Sequence, residues 1–228
     1  DVSNLNRQGF ATMETVGTSK IEATRSGILN INPEAEIITY HDDWLDEIEH
    51  ILSQTDVIIN GMDDIAATVL LYRYARKAKL TIVDAYAASL PSVYVTRPHQ
   101  QSLEERLNFP TVSRDKTEWT AEDIQTSFMR ELEYVMGVSS SRHYIDLKAG
   151  AEMAAGKRKR MSFAPMVITT GNLMAYEALN ILMGRKEAAD NRGYFFNPYK
   201  CKTERPPPAI ITFILVHIAR RAINKLMT

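Results

Sequence analysis

Apolar residues recur along this chain in two alternating rhythms. Over residues 18–31, Ile21, Ile28 and Leu29 share one helical face, and Asn32-Pro33 supplies a stop. Residues 35–40 form a short β-branched run, read as a strand. Helical spacing returns with Leu45, Ile48, Ile51 and Leu52. Residues 56–60 are an apolar strand closed by Gly61, residues 65–79 are helical again, and residues 80–84 make another buried strand. Short strands separated by helices of about ten to fifteen residues predict a parallel sheet covered on both faces. Residues 92–96 alternate just behind this series and read as an antiparallel edge strand.

The rhythm breaks at Arg97. Residues 97–119 are polar, contain two prolines and hold no sustained period. A connection of that length predicts a functional loop that moves without ligand. Ile124, Phe128, Leu132 and Val135 then share a face of a helix over 121–136. Residues 137–162 are rich in Ser, Gly and Lys and carry no clear signal. A strong apolar helix spans 165–183, stopped by Gly184. Residues 195–198, Cys201 and Pro206-Pro-Pro208 read as loop, before a final amphipathic helix over 210–227. The expected organisation is an α/β core over 1–97, a loop and helix insertion over 98–162 forming a substrate region, and C-terminal helices over 163–228 completing the same domain.

Composition narrows the classes. With 45% hydrophobic and 24% charged residues the chain has the makeup of a soluble globular protein with a substantial core. A net charge of −1 gives no global electrostatic case for nucleic acid or membrane as the main partner. The one basic run, Lys157-Arg-Lys-Arg160, reads as a solvated loop or a contact for an acidic protein, with RNA or phosphate binding as the other option. The apolar stretch 163–183 is interrupted by Asn172, Glu177 and Asn180, and 210–218 is too short to span a bilayer. A single cysteine leaves no internal disulfide and no multi-cysteine zinc site, which fits a cytoplasmic setting. Cys201 lies between Lys200 and Lys202, but flanking residues point elsewhere on most backbones, and the residue is read as non-catalytic. The five histidines show no metal-ligand spacing.

Three polar groups suggest chemistry. Asp63 follows the strand 56–60, where open α/β sheets bind ligands, and a carboxylate there suits Mg²⁺. The alternative is that Asp63 or Asp64 caps the next helix. Asn4, Arg7 and Gln8 form a short polar segment in which a guanidinium can fork onto phosphate oxygens. Lys20 stands in the first turn of a helix whose free N–H groups also attract anions.

The surrounding residues make these groups specific. Ser3-Asn-Leu-Asn-Arg-Gln8, then Val16-Gly-Thr-Ser-Lys20-Ile-Glu-Ala23, then Ile31-Asn32-Pro33 before an acidic residue, then Asp56-Val-Ile-Ile-Asn-Gly-Met-Asp63-Asp64, resemble in order the blocks of the ThiF/MoeB/HesA family, relatives of the ubiquitin-activating enzymes. Gly171-Asn-Leu-Met-Ala-Tyr-Glu177 resembles the family's late helix. The resemblance implies a Rossmann-like, mostly parallel sheet with helices on both faces. It also implies that the fold is N-terminally incomplete, since the family's first strand and glycine-rich loop would precede Asp1.

The implied activity is ATP-dependent adenylylation of a carboxylate, the C-terminal glycine of a ubiquitin-like sulfur-carrier protein in particular. Asn4 and Arg7 would contact ATP with Gln8 supporting them, Lys20 would hold the phosphate chain, and Asp63 would bind Mg²⁺. Arg7, Lys20 and Asp63 are the implied catalytic set, in a homodimer to which the helix 165–183 contributes. The chain departs from the family by carrying Asp64 where an Asn is usual and by lacking the four-cysteine zinc site. Two other readings remain open: a tRNA-modifying relative that activates a carboxylate, and a non-catalytic α/β binding module. A nicotinamide-dependent dehydrogenase is disfavoured, because no Gly-x-Gly-x-x-Gly is present.

Overall fold

A computed structural model describes residues 2–146, 149–150, 152 and 162–227. The basic run 157–160 lies outside the described residues. Two short 3-10 turns, Val2–Asn4 and Met13–Thr15, lead into α1 (Lys20–Ile31). The helix ends where Asn32 turns to extended backbone before Pro33. The strand expected over residues 35–40 does not form: the segment pairs with none of the five described strands, and Ile38 is exposed. β-branched composition makes a strand only where a neighbour is there to pack and pair with it.

The alternating series follows as α2 (Ile48–Ser53), β1 (Ile58–Ile59), α3 (Ile65–Lys77) and β2 (Ile82–Asp84). After these come β3 (Ser92–Thr96), α4 (Leu103–Leu107), α5 (Ala121–Val138), α6 (Ala164–Leu182), β4 (Tyr194–Asn197), β5 (Lys202–Glu204) and α7 (Ala209–Met227). The sheet order is β1-β2-β3-β4-β5. β1 and β2 are parallel, with Ile58 opposite Ile82. The remaining pairings are antiparallel, with Val83 opposite Val95, Val93 opposite Tyr194 and Phe196 opposite Thr203.

The α/β class with helices on both faces therefore holds, but the sheet is mixed, and its parallel part among the described residues is the β1–β2 pair. The cause is connection length. Only residues 85–91 separate β2 from β3, whereas a parallel return needs about a dozen residues or more. β3 is also not an edge: β4 pairs on its other side, and all five of its residues are buried. β4 itself occupies what the sequence presented as loop. Gly193 opens it at φ +76, and a Cβ there would stand 2.4 Å from the Tyr94 ring. Only glycine fits that approach.

Alternation along β2 and β3 divides the core between two faces. Val83, Val93 and Val95 meet Met174 and Ala178 of α6. Ile82, Tyr94 and Phe195 face the other way, into a larger cluster with Val69, Leu103 and Val135 from α3, α4 and α5. α7 lies along α5, close enough that a Cβ on Gly137 would be 3.0 Å from the Val216 backbone. Among the described residues no helix is long and apolar enough to cross a membrane.

The segment expected to be a mobile loop is anchored instead. Ser102 and Glu105 form a capping box that starts α4, Asn108 ends it in the left-handed region, and Leu103, Leu107 and Phe109 enter the core. The apolar residues here do not repeat at a helical period because one short helix and a turn share them.

Candidate active site

β1 and β2 end side by side, and the crevice beyond their carboxyl ends is the place where open α/β sheets bind ligands. Its walls include Asn60, Asp63, Thr68, Asp84, Tyr86 and Glu131. Asn60 follows β1, and its backbone N–H donates to the Val83 carbonyl at 2.8 Å. The Asn60 side-chain amide donates to Asp84 Oδ1 at 3.0 Å and to Thr68 Oγ1 at 3.2 Å. Tyr72 donates its hydroxyl to Asp84 Oδ2 at 2.9 Å, and the Ala85 N–H donates to Asp84 Oδ1 at 2.7 Å. Across the crevice, Glu131 of α5 accepts from the Ala87 N–H at 2.6 Å. Tyr86 stacks on Tyr94 at 3.6 Å between ring centroids and accepts from the Arg106 guanidinium at 2.6 Å. The same guanidinium lies 4.4 Å over the Tyr134 ring, so ring faces hold this buried cation in place.

Burial raises the Asp84 carboxyl to about 6, and the hydrogen bonds from Tyr72, Ala85 and Asn60 only partly offset the lost hydration. Its pKa in the unfolded chain is about 4. Between those values the folded state binds the extra proton, so the group's contribution to stability is intact at low pH and is lost as pH rises towards and past 6. Asp84→Asn removes that penalty. The stability difference between variant and parent should therefore move in favour of the variant by up to about 3 kcal/mol between pH 4 and pH 7.5. Urea denaturation of both proteins at the two pH values measures it. A difference independent of pH would mean that Asp84 titrates normally.

Asp63 is exposed and lines the crevice, whereas its neighbour has another task. Asp64 is the N-cap of α3, with Oδ1 accepting from the Ala67 N–H at 3.0 Å. The second carboxylate of the pair is thereby spent on a helix N-terminus, where negative charge is favoured. Among the described residues no group of three or more His, Cys, Asp and Glu side chains could hold a metal ion alone. The exposed Asp63 carboxylate offers the hard oxygen donors that Mg²⁺ takes, an ion usually bound by one or two carboxylates and completed by water and substrate phosphates.

The N-terminal polar group forms its own arrangement. The Arg7 guanidinium donates to Asn4 Oδ1 at 3.0 Å and to Asn6 Oδ1 at 3.1 Å, which orients its fork. The Gln8 N–H donates to the Asn4 carbonyl at 3.1 Å, holding Gln8 in the same turn. Lys20 is exposed in the first turn of α1. A fixed guanidinium and a lysine at a helix start suit a polyphosphate. Asn4, Arg7, Gln8 and Lys20 are not among the residues lining the crevice that holds Asp63.

Asn60, Asp84 and Glu131 were not singled out from the sequence. Each carried a signal, being a polar residue at a position the apolar pattern assigns to the core. Cys201 is exposed at the turn between β4 and β5 and does not line the crevice.

The sequence profile of the ThiF family matches residues 1–209. The chain belongs to the ThiF family. It is 28% identical over 111 residues to adenylyltransferase and sulfurtransferase MOCS3 of Culex quinquefasciatus, covering 48% of this chain and 25% of that protein. It is 24% identical over 133 residues to tRNA threonylcarbamoyladenosine dehydratase of Bacillus subtilis (strain 168), covering 58% of this chain and 48% of the relative. The chain thus spans between a quarter and about half of the length of these ThiF-family relatives. PaaA shares the fold, with a TM-score of 0.56 at 15% identity over 90% of this chain and 60% of its own. So does MccB of E. coli, solved with ATP, with a TM-score of 0.56 at 15% identity over 92% of this chain and 55% of its own.

Proposed function

We propose that the protein carrying this chain activates a carboxylate by adenylylation with ATP and Mg²⁺. The observation that carries the reading is Asp63: an exposed carboxylate lining the strand-end crevice of a ThiF-family chain, with the adjacent Asp64 already committed to capping α3. The substrate carboxylate needs no base, being ionised at neutral pH. Its oxygen attacks the α-phosphorus of ATP, the bond to the bridging oxygen breaks, and acyl-AMP and pyrophosphate form. The difficulty is bringing one anion to another, so catalysis is mainly positioning and charge neutralisation. In this reading Arg7 and Lys20 would face the phosphates, Asn4 and Gln8 would support the nucleotide, and Asp63 would hold Mg²⁺, which would supply charge neutralisation.

The acyl donor proposed is a peptide or protein C-terminus, the C-terminal glycine of a ubiquitin-like sulfur carrier being the specific candidate. Support comes from the adenylyltransferase and sulfurtransferase among the relatives and from MccB, solved with ATP and, separately, with N-formylated MccA. The test is exchange of labelled pyrophosphate into ATP by the full-length protein given candidate carboxylates. Exchange that depends on the carboxylate is the expected result, and its absence with every carboxylate class would defeat the reading. The Bacillus subtilis relative favours a second reading, in which the carboxylate is on tRNA. Stimulation of exchange by tRNA, falling steeply as salt is raised, would select it.

The working unit is proposed to be a homodimer. Ile168, Tyr176 and Leu179 are exposed on α6, with Met183 exposed at its C-cap, and such a stripe calls for a partner. Light scattering of the full-length protein at tens of micromolar should give a dimer, shifted towards monomer by Tyr176→Glu with Leu179→Glu. A monomeric parent would contradict this.

A further inference from the structure

Against the crevice wall at Tyr86 lies a buried cluster that keeps several hydrogen-bond donors unused. Arg106 of α4 sets its guanidinium among the rings of Tyr86, Tyr94 and Tyr134, with Cζ 5.6, 5.9 and 4.4 Å from their centroids. Its Nη2 donates to the Tyr86 hydroxyl at 2.6 Å, whereas Nε and Nη1 are buried without a hydrogen-bond partner. Among the described residues Arg106 forms no ion pair, so ring faces and one phenol oxygen hold the cation. A buried charge without a counter-charge is costly, and buried donors left unsatisfied are uncommon.

Tyr86 is where this charge meets the crevice. Arg106 and Tyr94 are not among the crevice walls, but Tyr86 is, two residues beyond the end of β2. Its oxygen accepts from Arg106, which leaves its own O–H as a donor, and among the described residues that proton has no acceptor. The Asp84 oxygens in the same wall are otherwise engaged, Oδ1 with Asn60 and Ala85 and Oδ2 with Tyr72. Burial drives the Tyr86 hydroxyl far above its usual range, and the Arg106 charge only partly opposes this, so the phenol stays protonated. An O–H polarised by a cation behind it is a good donor to a negatively charged oxygen.

We propose that Tyr86 contacts substrate in the crevice, its O–H donating to an oxyanion of the reacting pair, and that Arg106 is the positioning residue that polarises it. The inference rests on the adenylylation reading and adds a residue to it. The oxyanion is the substrate carboxylate or an α-phosphate oxygen of ATP, and the chemistry of the contact is the same for both. Either oxygen enters a crevice whose walls include the carboxylates of Asp63, Asp84 and Glu131. A donor backed by positive charge offsets that repulsion where the two anions meet.

The test compares Tyr86→Phe with Tyr94→Phe in the full-length protein. Both variants lose a hydroxyl from one cluster and keep the ring, the Tyr94 hydroxyl being buried, unpartnered and outside the crevice walls. Tyr86→Phe should lower kcat/KM for pyrophosphate exchange by about 10–100-fold, with Tyr94→Phe within about twofold of the parent. Arg106→Lys, which keeps the charge but not the fork, should cost several-fold in the parent and nothing further in Tyr86→Phe. Equal losses in both backgrounds would remove Arg106 from the proposal.

Binding without turnover separates the two oxyanions. AMP, titrated by calorimetry, supplies the phosphate, and N-acetylglycine, followed by ligand-observed NMR, supplies a carboxylate. Tyr86→Phe should weaken the probe that carries the contacted group and spare the other. Such weakening, with no exchange for any carboxylate, would sustain the contact and defeat adenylylation. Exchange unchanged in Tyr86→Phe, or lowered equally in Tyr94→Phe, would overturn the contact and leave adenylylation standing.

Discussion

Asp63→Ala should lower carboxylate-dependent pyrophosphate exchange by about 10²-fold or more, while Cys201→Ala leaves it unchanged. In the proposed site the Asp63 carboxylate would hold Mg²⁺, which would supply charge neutralisation at the phosphates. Losing stabilisation that is present chiefly in the transition state costs a rate factor of about that size. The loss should appear in kcat more than in KM, because the interaction strengthens as the reaction proceeds. Cys201 is exposed at a hairpin turn outside the crevice walls, and thiol chemistry has no part in forming an acyl-AMP. Asp64→Ala is the internal comparison. Its carboxylate caps α3, so its loss should cost about 1 kcal/mol of stability and little catalysis. Abolished exchange in Cys201→Ala beside intact exchange in Asp63→Ala would move the site elsewhere.

Arg73→Ala is expected to be the single truncation that most destabilises the segment that follows β3. Arg73 of α3 donates to both carboxylate oxygens of Glu104, each at 2.8 Å. It also donates to the Thr111 carbonyl at 2.7 Å and the Arg114 carbonyl at 2.8 Å. Glu104 is only 6% exposed. Removing its partner leaves a buried carboxylate that still accepts from Thr111 Oγ1 at 3.1 Å but has lost its compensating charge, and breaking a buried pair typically costs about 3–5 kcal/mol. Arg73 is itself partly solvated, which places the expectation near 3 kcal/mol, or a fall in Tm of about 6–12 °C. The loss should be accompanied by faster proteolysis within residues 98–119, since one side chain ties that segment to α3 at three points. A Tm within about 2 °C of the parent would show that the clamp contributes little.

Elements whose burial follows their own sequence were legible. α3 and α5 show continuous apolar stripes and capping residues, and both appear where the pattern puts them. Gly184 ends α6 with φ +62, as its position after the apolar run suggests. Elements that depend on a distant partner were not legible. β4 is a strand because β3 lies beside it, about a hundred residues earlier in the chain, and nothing within Tyr194–Asn197 announces that pairing. The reverse error occurred at residues 35–40, where strand composition has no described strand to pair with.

The candidate site divides in the same way. Asp63 and the Asn4, Arg7 and Lys20 group stand out as sequence blocks, and of these four Asp63 alone lines the crevice. Asp84 and Glu131 were hidden among core-face positions. Each looks locally like a polar interruption of an apolar face, and only the meeting of β2 with α5 gives the pair a shared crevice.

The most direct measurement of the central claim follows oxygen. The full-length protein would be given ATP, Mg²⁺ and a peptide substrate labelled with ¹⁸O in its terminal carboxylate, and the released AMP analysed by mass spectrometry. Attack of the carboxylate on the α-phosphorus, followed by transfer or hydrolysis at the acyl carbon, leaves one labelled oxygen in AMP. That is the predicted result. Label appearing in inorganic phosphate would mean activation at the γ-phosphorus, and turnover with unlabelled AMP would mean that no acyl-adenylate forms; either outcome would contradict the account.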